Sequence, residues 1–540
     1  MTIETCLTPE RVAAMKAAGL WRDVTVLDYL DAAVAAHPDK IAVTALEVAS
    51  GRQESITYRQ LDTLSRRVAA GMAAMGVKAG DVVSMQLPNR VEFIILHLAC
   101  LRCGAVTNAL MPFLRHRELG FMLGLAESKL LVAPRRFRDF DYQPMVESLR
   151  PQLPALADYL LVGGEGEHGF EQRLLEYRWE EETVSRSLRP AAPDDVIEIL
   201  YTSGTTGEPK GVMHTSNTML SGLPFFCRRL GLDSETVVLM ASPLAHQTGF
   251  IYGMVVAIML GVKCVLQDVW NPAAAARLIQ DEGVTYTMAS TPFLADLTEE
   301  AGRGRWDLRA FKVFLSAGAP IPWALVQAAR ERLGAHVLSG WGMTENGAVS
   351  TTTPDDPEEK GVYTDGRALE SMELRVVDDQ KRVVPPNTIG RLEARGAGNF
   401  VGYLKRPEYY AVDADGWFDT GDLARIDAEA YIRITGRAKD IIIRGGENIP
   451  VVEIENLLFR HPSVHEVAIV GMPDARLGER ACAFVTLRGD TTLTFNEMVE
   501  FLEKQNVAKQ YFPERLEVLN EMPRTASGKI QKFRLREMVR

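Results

Sequence analysis

The chain has 540 residues, of which 46% are hydrophobic and 24% charged, a composition typical of globular proteins with several cores. Acidic residues outnumber basic ones by 71 to 60, which excludes an overall positive surface potential that would attract nucleic acid. An anionic ligand would therefore depend on local features such as glycine-rich loops and single lysines. Six cysteines in this length indicate reduced thiols and exclude a disulfide framework.

Neither a secretory signal nor a membrane-spanning segment is predicted. The first residues, MTIETC, carry an early acidic residue and lead into no long apolar core. The most apolar stretch, residues 249–262, is too short to span a bilayer and predicts a buried helix. Cys100 and Cys103 lie in an apolar helical pattern without a second CxxC pair, which favours buried thiols over a metal or redox site. We therefore expect a cytoplasmic protein.

From Ile56 onward, short apolar strands alternate with amphipathic helices. The pattern is interrupted by residues 163–195, a polar and acidic stretch that we interpret as a connecting excursion with a solvated face, and it resumes near residue 237. Alternation of this kind predicts parallel, doubly wound α/β sheets.

Residues 196–215 combine a predicted buried strand with a glycine-rich loop, TSGTTGEPKG (202–211). Glycines let consecutive backbone N–H groups face one point, and Lys210 adds a positive charge, so the loop fits a polyphosphate. The spacing is not that of a Walker A loop, because Pro209 and not a glycine precedes Lys210. The alternative interpretation is a mobile surface loop.

The second half of the chain suggests further units. Residues 372–434 show short alternating strands and predict a β-rich subdomain, and the character changes again near Gly436. We predict an α/β fold with a large N-terminal domain, residues 1–437, and a small α+β C-terminal domain, residues 438–540.

Three short stretches carry candidate chemistry. Glu345 lies in a glycine-flanked turn, where its carboxylate could hold Mg²⁺, although a solvent-exposed loop residue is the simpler interpretation. Asp419 and Asp422 lie on either side of a Thr-Gly pair, where a carboxylate at a tight turn suits ribose hydroxyls, but a plain Asp-Gly turn would look the same. Lys529 lies in a Pro/Ser/Gly turn near the last helix, and a lysine there is usually only solvated.

Together the motifs are more specific than any one of them. Their set and order resemble the adenylate-forming superfamily, which includes AMP-forming acyl- and aryl-CoA ligases, luciferase-type enzymes and peptide-synthetase adenylation domains. The motifs are TSGTTGEPKG (202–211), GWGMTE (340–345), WFDTGD (417–422), GRAKDIII (436–443) and PRTASGK (523–529). Within the superfamily the chain looks most like carboxylate–CoA ligases, and more narrowly like cyclohexanecarboxylate–CoA ligases.

The resemblance implies ATP, Mg²⁺ and CoA as cofactors, with acyl-AMP formed first and then converted to acyl-CoA. It implies Lys529, Thr344 and Glu345 as catalytic residues, with Glu345 also holding the metal. The implied ATP-binding residues are Thr202, Ser203, Gly204, Thr205, Thr206, Gly207, Lys210, Gly318, Ala319, Pro320, Gly340, Trp341, Gly342, Asp422 and Arg437.

The resemblance also implies that the C-terminal domain is mobile and rotates after adenylation. Lys439 matches the hinge, and Gly445, Gly446 and Glu447 match the wall of the CoA tunnel. His246 matches the gate of the acyl pocket, with helix capping or packing as its alternative role. The implied pocket residues are His246, Thr248, Phe250, Thr291, Gly340 and Met343. PRTASGK resembles sites at which a lysine acetyltransferase switches such enzymes off, which suggests that partner for Lys529.

We therefore expect an AMP-forming carboxylate–CoA ligase for a hydrophobic alicyclic, aromatic or medium-chain monocarboxylate, with cyclohexanecarboxylate favoured. The predicted pocket has no cation for a second acid group and no polar residue to read an amine, which argues against dicarboxylates and amino acids. The alternatives are a medium-chain fatty acyl-CoA synthetase, an enzyme that loads a carrier protein, and a non-catalytic adenylate-binding scaffold. A homodimer is left open.

Overall fold

The structure is a computed structural model that describes residues 3–202, 209–318, 321–437, 442–444, 447–449, 451–474, 477–505, 509–525 and 529–539. Among these residues, no helix has the length and apolarity needed to cross a bilayer. Ten of the predicted site residues lie outside the described residues: Ser203, Gly204, Thr205, Thr206, Gly207, Ala319, Pro320, Lys439, Gly445 and Gly446.

Two large sheets form the N-terminal part of the molecule. The first has nine strands in the order β17-β16-β15-β14-β13-β11-β12-β1-β2, with neighbours parallel from β15 to β1. Its strands are β1 (Ile41–Glu47), β2 (Arg52–Thr57), β11 (Val237–Met240), β12 (Lys263–Gln267), β13 (Tyr286–Ala289), β14 (Val313–Ala317), β15 (His336–Met343), β16 (Gly347–Thr351) and β17 (Arg367–Ala368).

The second sheet has six strands in the order β10-β9-β4-β3-β5-β8, and only the β9–β10 pair is antiparallel. Its strands are β3 (Val82–Met85), β4 (Val106–Ala109), β5 (Leu130–Pro134), β8 (Asp158–Val162), β9 (Val196–Thr202) and β10 (Lys210–Thr215), and a separate hairpin joins β6 (Arg136–Phe137) to β7 (Phe140–Asp141). The predicted strand before the glycine loop is therefore confirmed as β9.

Helices cover both sheets, as the predicted doubly wound arrangement requires. They are α1 (Pro9–Ala17), α2 (Val26–Ala36), α3 (Tyr58–Ala74), α4 (Val91–Cys103), α5 (His116–Leu125), α6 (Tyr142–Leu149), α7 (Ser216–Leu220), α8 (Leu223–Leu230), α9 (Gln247–Gly249), α10 (Val256–Leu260), α11 (Pro272–Glu282), α12 (Thr291–Ala301), α13 (Trp323–Leu333) and α14 (Glu358–Tyr363). Short 3₁₀ turns occur at Arg150–Gln152, Gly166–His168, Trp179–Glu181, Thr183–Ser187, Pro407–Tyr409 and Lys509–Tyr511, and π-helical turns at Glu171–Leu175 and Phe250–Val255.

The largest apolar core lies between the two sheets. It contains residues of both sheets, the fully buried helix α4 and the segment 250–258, which explains why these stretches are apolar on all sides. The predicted buried helix at 249–262 is thus confirmed, with a π-helical first part. Cys100 and Cys103 are buried free thiols in this core, as expected.

The predicted β-rich subdomain is a four-stranded antiparallel sheet in the order β18-β19-β20-β21. Its strands are β18 (Met372–Val377), β19 (Gly390–Gly396), β20 (Phe418–Ile426) and β21 (Ile432–Arg437). The turn that both interpretations of Asp419–Asp422 assumed is wrong, because β20 runs through both residues. Gly421 has φ +72°, and a register irregularity follows it, so the glycine lets the strand continue with altered pairing.

The C-terminal part forms its own five-stranded sheet with apolar residues on both faces. Its strands are β22 (Ile442–Arg444), β23 (Glu447–Ile449), β24 (Val464–Asp474), β25 (Gly478–Leu487) and β26 (Arg515–Val518), and its helices are α15 (Val451–Leu458), α16 (Phe495–Lys504) and α17 (Lys532–Met538). Ile469 packs towards α15 and α16, whereas the neighbouring Val470 packs towards α17, as strand alternation requires. A separate core of this kind is consistent with the predicted C-terminal domain, and its boundary at 437/438 stays a prediction.

The predicted solvated excursion at 163–195 is wrong in one respect. Trp179 and Glu180 lie against α3, where Arg67 forms a 2.7 Å ion pair with Glu180 and both side chains are less than one-fifth exposed. The acidic run therefore includes a carboxylate that fixes this segment to the fold.

An N-terminal clasp, residues 6–21, holds the loop 397–410 of the β-rich region. The backbone N–H of Cys6 donates to the Val401 carbonyl over 2.7 Å, and the indole N–H of Trp21 donates to the Ala397 carbonyl over 3.0 Å. Arg11 donates to the Phe400 carbonyl over 3.0 Å. Because these acceptors are backbone carbonyls, the clasp fixes the path of the loop.

Glu198 is a buried carboxyl in the middle of β9. It is fully buried, and neither of its oxygens has a hydrogen-bond partner among the residues that the structure describes. Burial raises its pKa well above the ordinary value, and nearby Gln247, which is out of hydrogen-bonding geometry, only partly opposes this. Burial therefore favours the protonated form of Glu198 in the folded protein.

Glu198→Gln should reduce the pH dependence of stability. A carboxyl with a raised folded pKa contributes stability below its unfolded pKa and loses it as pH rises, by up to about 1.4 kcal/mol per pH unit. The melting temperature of the variant relative to the parent should therefore increase between pH 5 and pH 8, since glutamine does not titrate. If the melting temperatures of the variant and the parent change by the same amount between pH 5 and pH 8, Glu198 has an ordinary pKa in the folded protein.

Candidate active site

The glycine-rich loop connects two paired strands. Lys210, the first residue of β10, lies opposite Thr202, the last residue of β9, so both ends of the loop are fixed by the ladder. Both residues are half-buried at the edge of the sheet.

Two tyrosine rings surround the ammonium group of Lys210. Its Nζ lies 3.9 Å from the ring centroid of Tyr409 and 5.2 Å from that of Tyr403. The Tyr403 hydroxyl in turn donates a 2.8 Å hydrogen bond to Oε1 of Glu345. The loop lysine and the carboxylate of the next motif are thus connected through one aromatic residue.

Thr344 and Glu345 form the turn between β15 and β16, as predicted. The stretch before them is not a turn, because Gly340, Trp341, Gly342 and Met343 belong to β15. Gly342 has no room for a side chain, since a Cβ atom would collide with the carbonyl oxygen of Gly347 on the partner strand.

The backbone of this turn is held from two directions. The Phe400 N–H donates to the Glu345 carbonyl over 2.7 Å, and His214 Nε2 lies 2.7 Å from the Thr344 carbonyl oxygen. Because a carbonyl only accepts, Nε2 carries the proton, and Nδ1 accepts from the Thr218 hydroxyl 3.0 Å away. Burial lowers the pKa of His214 to about 4, so the neutral tautomer holds the turn.

Glu345 itself is buried, and burial raises its pKa. The Tyr403 hydrogen bond and the positive charges of Arg437 and Lys210 act in the opposite direction. Any cation brought to this carboxylate would favour the ionised form further.

Asp422 lies at the edge of the same cleft. It is only 3% exposed, and its Oδ1 is 2.6 Å from Arg437 Nε while its Oδ2 accepts from the Trp341 indole over 3.0 Å. These contacts orient the carboxylate, which suits the paired hydroxyls of a ribose.

Lys529 comes from the C-terminal sheet region and enters this cleft. Its backbone N–H and carbonyl both bond to Thr525, which fixes the position of the Lys529 backbone. A Cβ atom on Gly318 would lie 2.7 Å from Lys529 Cε, which shows how close the two residues are, and the φ of +90° favours glycine at this position.

The surroundings of Lys529 are electrostatically mixed. The Lys529 residue is solvent-exposed as a whole. Protein atoms nevertheless surround its ammonium group, and this partial loss of solvent lowers the pKa of that group. The charge of Arg437 lowers it further, whereas Asp422 and Glu345 raise it. Lys529 is therefore within electrostatic reach of both predicted carboxylates.

His246 has the capping role that the sequence left open, and its role as the gate of an acyl pocket stays a prediction. Its Nδ1 accepts from the Thr248 N–H over 3.2 Å and caps the short helix α9. Burial and then the charge of Lys529 lower its pKa to about 4. A histidine kept neutral in this way adds no charge to its surroundings.

The other predicted pocket residues are distributed around this point. Phe250 is fully buried with its ring edge against Phe93 and His97, so it belongs to the core between the sheets. Thr291 begins α12 with its hydroxyl 3.2 Å from that of Ser316. Met343 packs against two apolar clusters of the β-rich region. Of the predicted CoA-tunnel residues, Glu447 lies in β23.

Sequence reasoning missed Tyr403, Tyr409 and His214, which hold Lys210, Glu345 and Thr344. Their approach depends on tertiary folding, and the only local signal is the tyrosine-rich sequence GYLKRPEYY (402–410). It also missed Glu198, although a glutamate inside an otherwise apolar strand was a visible signal.

Comparison with known families identifies two matching domains. Residues 30–404 match the family model described as AMP-binding enzyme, and residues 453–529 match the model described as AMP-binding enzyme C-terminal domain. The first match alone covers more than half of the chain.

Individual relatives are similar to this chain over nearly its full length. The medium-chain fatty-acid–CoA ligase of Escherichia coli (strain K12) is 37% identical over 540 residues, covering 99% of this chain and 94% of that one. The 2,3-dihydroxybenzoate-AMP ligase of Bacillus subtilis (strain 168) is 34% identical over 525 residues, covering 96% and 95%. The crystal structure of ATP-bound MatB from Rhodopseudomonas palustris superposes with a TM-score of 0.83 at 27% identity, covering 95% and 99%.

Proposed function

The chain belongs to the AMP-binding enzyme family, and we propose that it is an AMP-forming ligase that joins a compact hydrophobic monocarboxylate to CoA. In the first half-reaction the carboxylate attacks the α-phosphorus of ATP, giving acyl-AMP and pyrophosphate. In the second, the CoA thiol displaces AMP and gives the thioester. The class, an acid–thiol ligase using ATP and CoA, follows from the family.

The observation that carries the assignment of roles is the meeting of Lys529 with Gly318, Glu345 and Asp422 in one cleft. The first half-reaction brings an anion towards a polyanion, and two like charges about 4 Å apart repel by about 4 kcal/mol at an effective dielectric of about 20. Cations held in advance offset this repulsion. We assign that role to Lys529, between the carboxylate and the α-phosphate, and to Lys210 at the β- and γ-phosphates.

The remaining ATP contacts follow from the same cleft. Asp422, oriented by Arg437 and Trp341, would take the ribose hydroxyls, and Thr344 would donate to the α-phosphate. Gly318, with Ala319 and Pro320, would form the adenine wall.

The donor set suits a metal that is shared with the nucleotide. Among the described residues, no group of three or more His, Cys, Asp or Glu side chains could enclose a metal ion. Mg²⁺, however, keeps several waters and is usually bound through one or two carboxylates plus phosphates. The oriented carboxylate of Glu345 fits that mode, so Glu345 would hold the ion, which supplies charge neutralisation at the phosphates.

For the second half-reaction we propose that the C-terminal domain, residues 438–540, rotates about Lys439 and withdraws Lys529. Gly445, Gly446 and Glu447 would then line the path of CoA. The separate apolar core of this domain supports the idea, since a unit with its own core can move without unfolding.

The acid is proposed from the polarity of the predicted pocket residues. A neutral His246 and Met343, which packs in two apolar clusters, favour an uncharged acyl group. We propose cyclohexanecarboxylate first. The 37% identical medium-chain fatty-acid–CoA ligase favours a medium-chain fatty acid as the second candidate, and the 2,3-dihydroxybenzoate-AMP ligase favours an aryl acid loaded on a carrier protein as the third.

A substrate panel tests these assignments. Pyrophosphate release and thioester formation would be measured with ATP, Mg²⁺, CoA and, separately, cyclohexanecarboxylate, benzoate, salicylate, octanoate and succinate. We expect the highest kcat/KM with cyclohexanecarboxylate and no turnover of succinate. A higher kcat/KM with octanoate or salicylate would reassign the acid, release without thioester would favour carrier loading, and no release with any acid would favour a scaffold.

A further inference from the structure

Lys210 is held by ring faces and not by a carboxylate. Both ring centroids lie within the roughly 6 Å over which a cation is attracted to an aromatic face, Tyr409 at 3.9 Å and Tyr403 at 5.2 Å. Lys210 forms no salt bridge with any residue that the structure describes. A ring face attracts the ammonium without neutralising it, so the full charge remains available to an anion.

Both rings are themselves fixed. Tyr409 ends a short 3₁₀ turn and packs against an apolar cluster that contains Phe400 and Phe418. Tyr403 is a buried member of the same cluster, and its hydroxyl is bound to Glu345. The rings therefore offer a rigid surface to a side chain that is otherwise free to sample many rotamers.

We propose that Tyr409, together with Tyr403, is a positioning residue that holds Lys210 in place for the triphosphate before ATP arrives. The proposal rests on the assignment of Lys210 to the β- and γ-phosphates. Holding Lys210 in place beforehand favours ATP binding, because the Lys210 side chain then loses less conformational freedom when ATP binds. Tyr403 also orients Glu345, so only Tyr409 isolates the effect of the ring.

The test is ATP–pyrophosphate exchange with graded changes at position 409. Tyr409→Leu keeps apolar volume but removes the ring face, and it should raise the KM for ATP by about 3- to 30-fold with little change in kcat. Tyr409→Phe keeps the face and should restore most of the ATP affinity. Phenylalanines with one, two and three ring fluorines at this position should raise log KM in even steps, because fluorine weakens the ring quadrupole without changing the fold.

A double-mutant cycle connects the effect to the lysine. If the ring acts through Lys210, Tyr409→Leu should have no further effect in a Lys210→Ala background. A full effect in that background, equal KM values for the leucine and phenylalanine variants, or a lower KM with leucine would each overturn the proposal. If Lys210→Ala alone leaves the KM for ATP unchanged, the assignment of Lys210 to the phosphates is itself wrong. Thermal melting of each variant shows whether its fold is retained.

Discussion

Lys529→Ala is expected to slow acyl-AMP formation by on the order of 10²–10³-fold, the usual cost of removing one charge-stabilising group at a reacting centre. Conversion of supplied acyl-AMP to thioester should change by less than about threefold, because in our proposal the lysine has left the cleft at that step. The measurement is single-turnover kinetics of each half-reaction, started with acid plus ATP or with acyl-AMP plus CoA.

A matched control is available on the same domain. Lys504 is an exposed lysine at the end of α16, away from the cleft, and Lys504→Ala should leave both half-reactions unchanged. Equal losses of both half-reactions in Lys529→Ala would contradict the two-orientation proposal.

Acetylation of Lys529 removes the same charge, so stoichiometrically acetylated protein should show the same selective loss. Full activity after acetylation would exclude regulation by an acetyltransferase at this residue.

Glu345→Gln should lower the rate of acyl-AMP formation by on the order of 10²-fold. Glutamine has the same shape and retains an oxygen for the Tyr403 hydroxyl, so the change removes little except the negative charge. If Glu345 holds Mg²⁺, the metal concentration required for half-maximal rate should rise by more than about tenfold. The measurement is an Mg²⁺ titration of pyrophosphate exchange.

The control for this variant is another carboxylate of the same region. Glu373 lies on β18 and pairs with Arg395 at the surface over 2.8 Å, and Glu373→Gln should leave the titration unchanged. An unaltered Mg²⁺ requirement in Glu345→Gln, with the rate still reduced, would assign Glu345 a purely orienting role. Unaltered rate and requirement together would remove it from the site.

Much of the fold could be predicted from local patterns, because strand and helix periodicities are set by neighbours in sequence. The strand before the glycine loop, the turn at Thr344 and Glu345 and the buried helix after Gly249 all depend on such patterns. Asp422 shows the limit: a glycine between two aspartates normally suggests a turn, but here Gly421 accommodates a strand irregularity because β19 and β21 continue on either side.

The partners of the site residues could not be predicted from local patterns. His214, Tyr403 and Tyr409 reach Thr344, Glu345 and Lys210 across distant parts of the chain, and nothing in their own neighbourhoods specifies these contacts. The resemblance to a family supplied the roles of the motif residues, since it summarises tertiary contacts that a single sequence does not state. It gave no role to the residues that hold them.

The N-terminal clasp determines where a truncated fragment of this enzyme should begin. The family match begins at residue 30, whereas Cys6, Arg11 and Trp21 bind the loop whose Phe400 N–H holds the Glu345 carbonyl. A fragment trimmed to the matched region would remove the donors of the Val401 and Ala397 carbonyls and one donor of the Phe400 carbonyl, and would release the loop that carries Tyr403 and Tyr409. Truncated or N-terminally fused versions could then fold and still be poor catalysts, so comparisons of activity among family members should use chains that retain this segment.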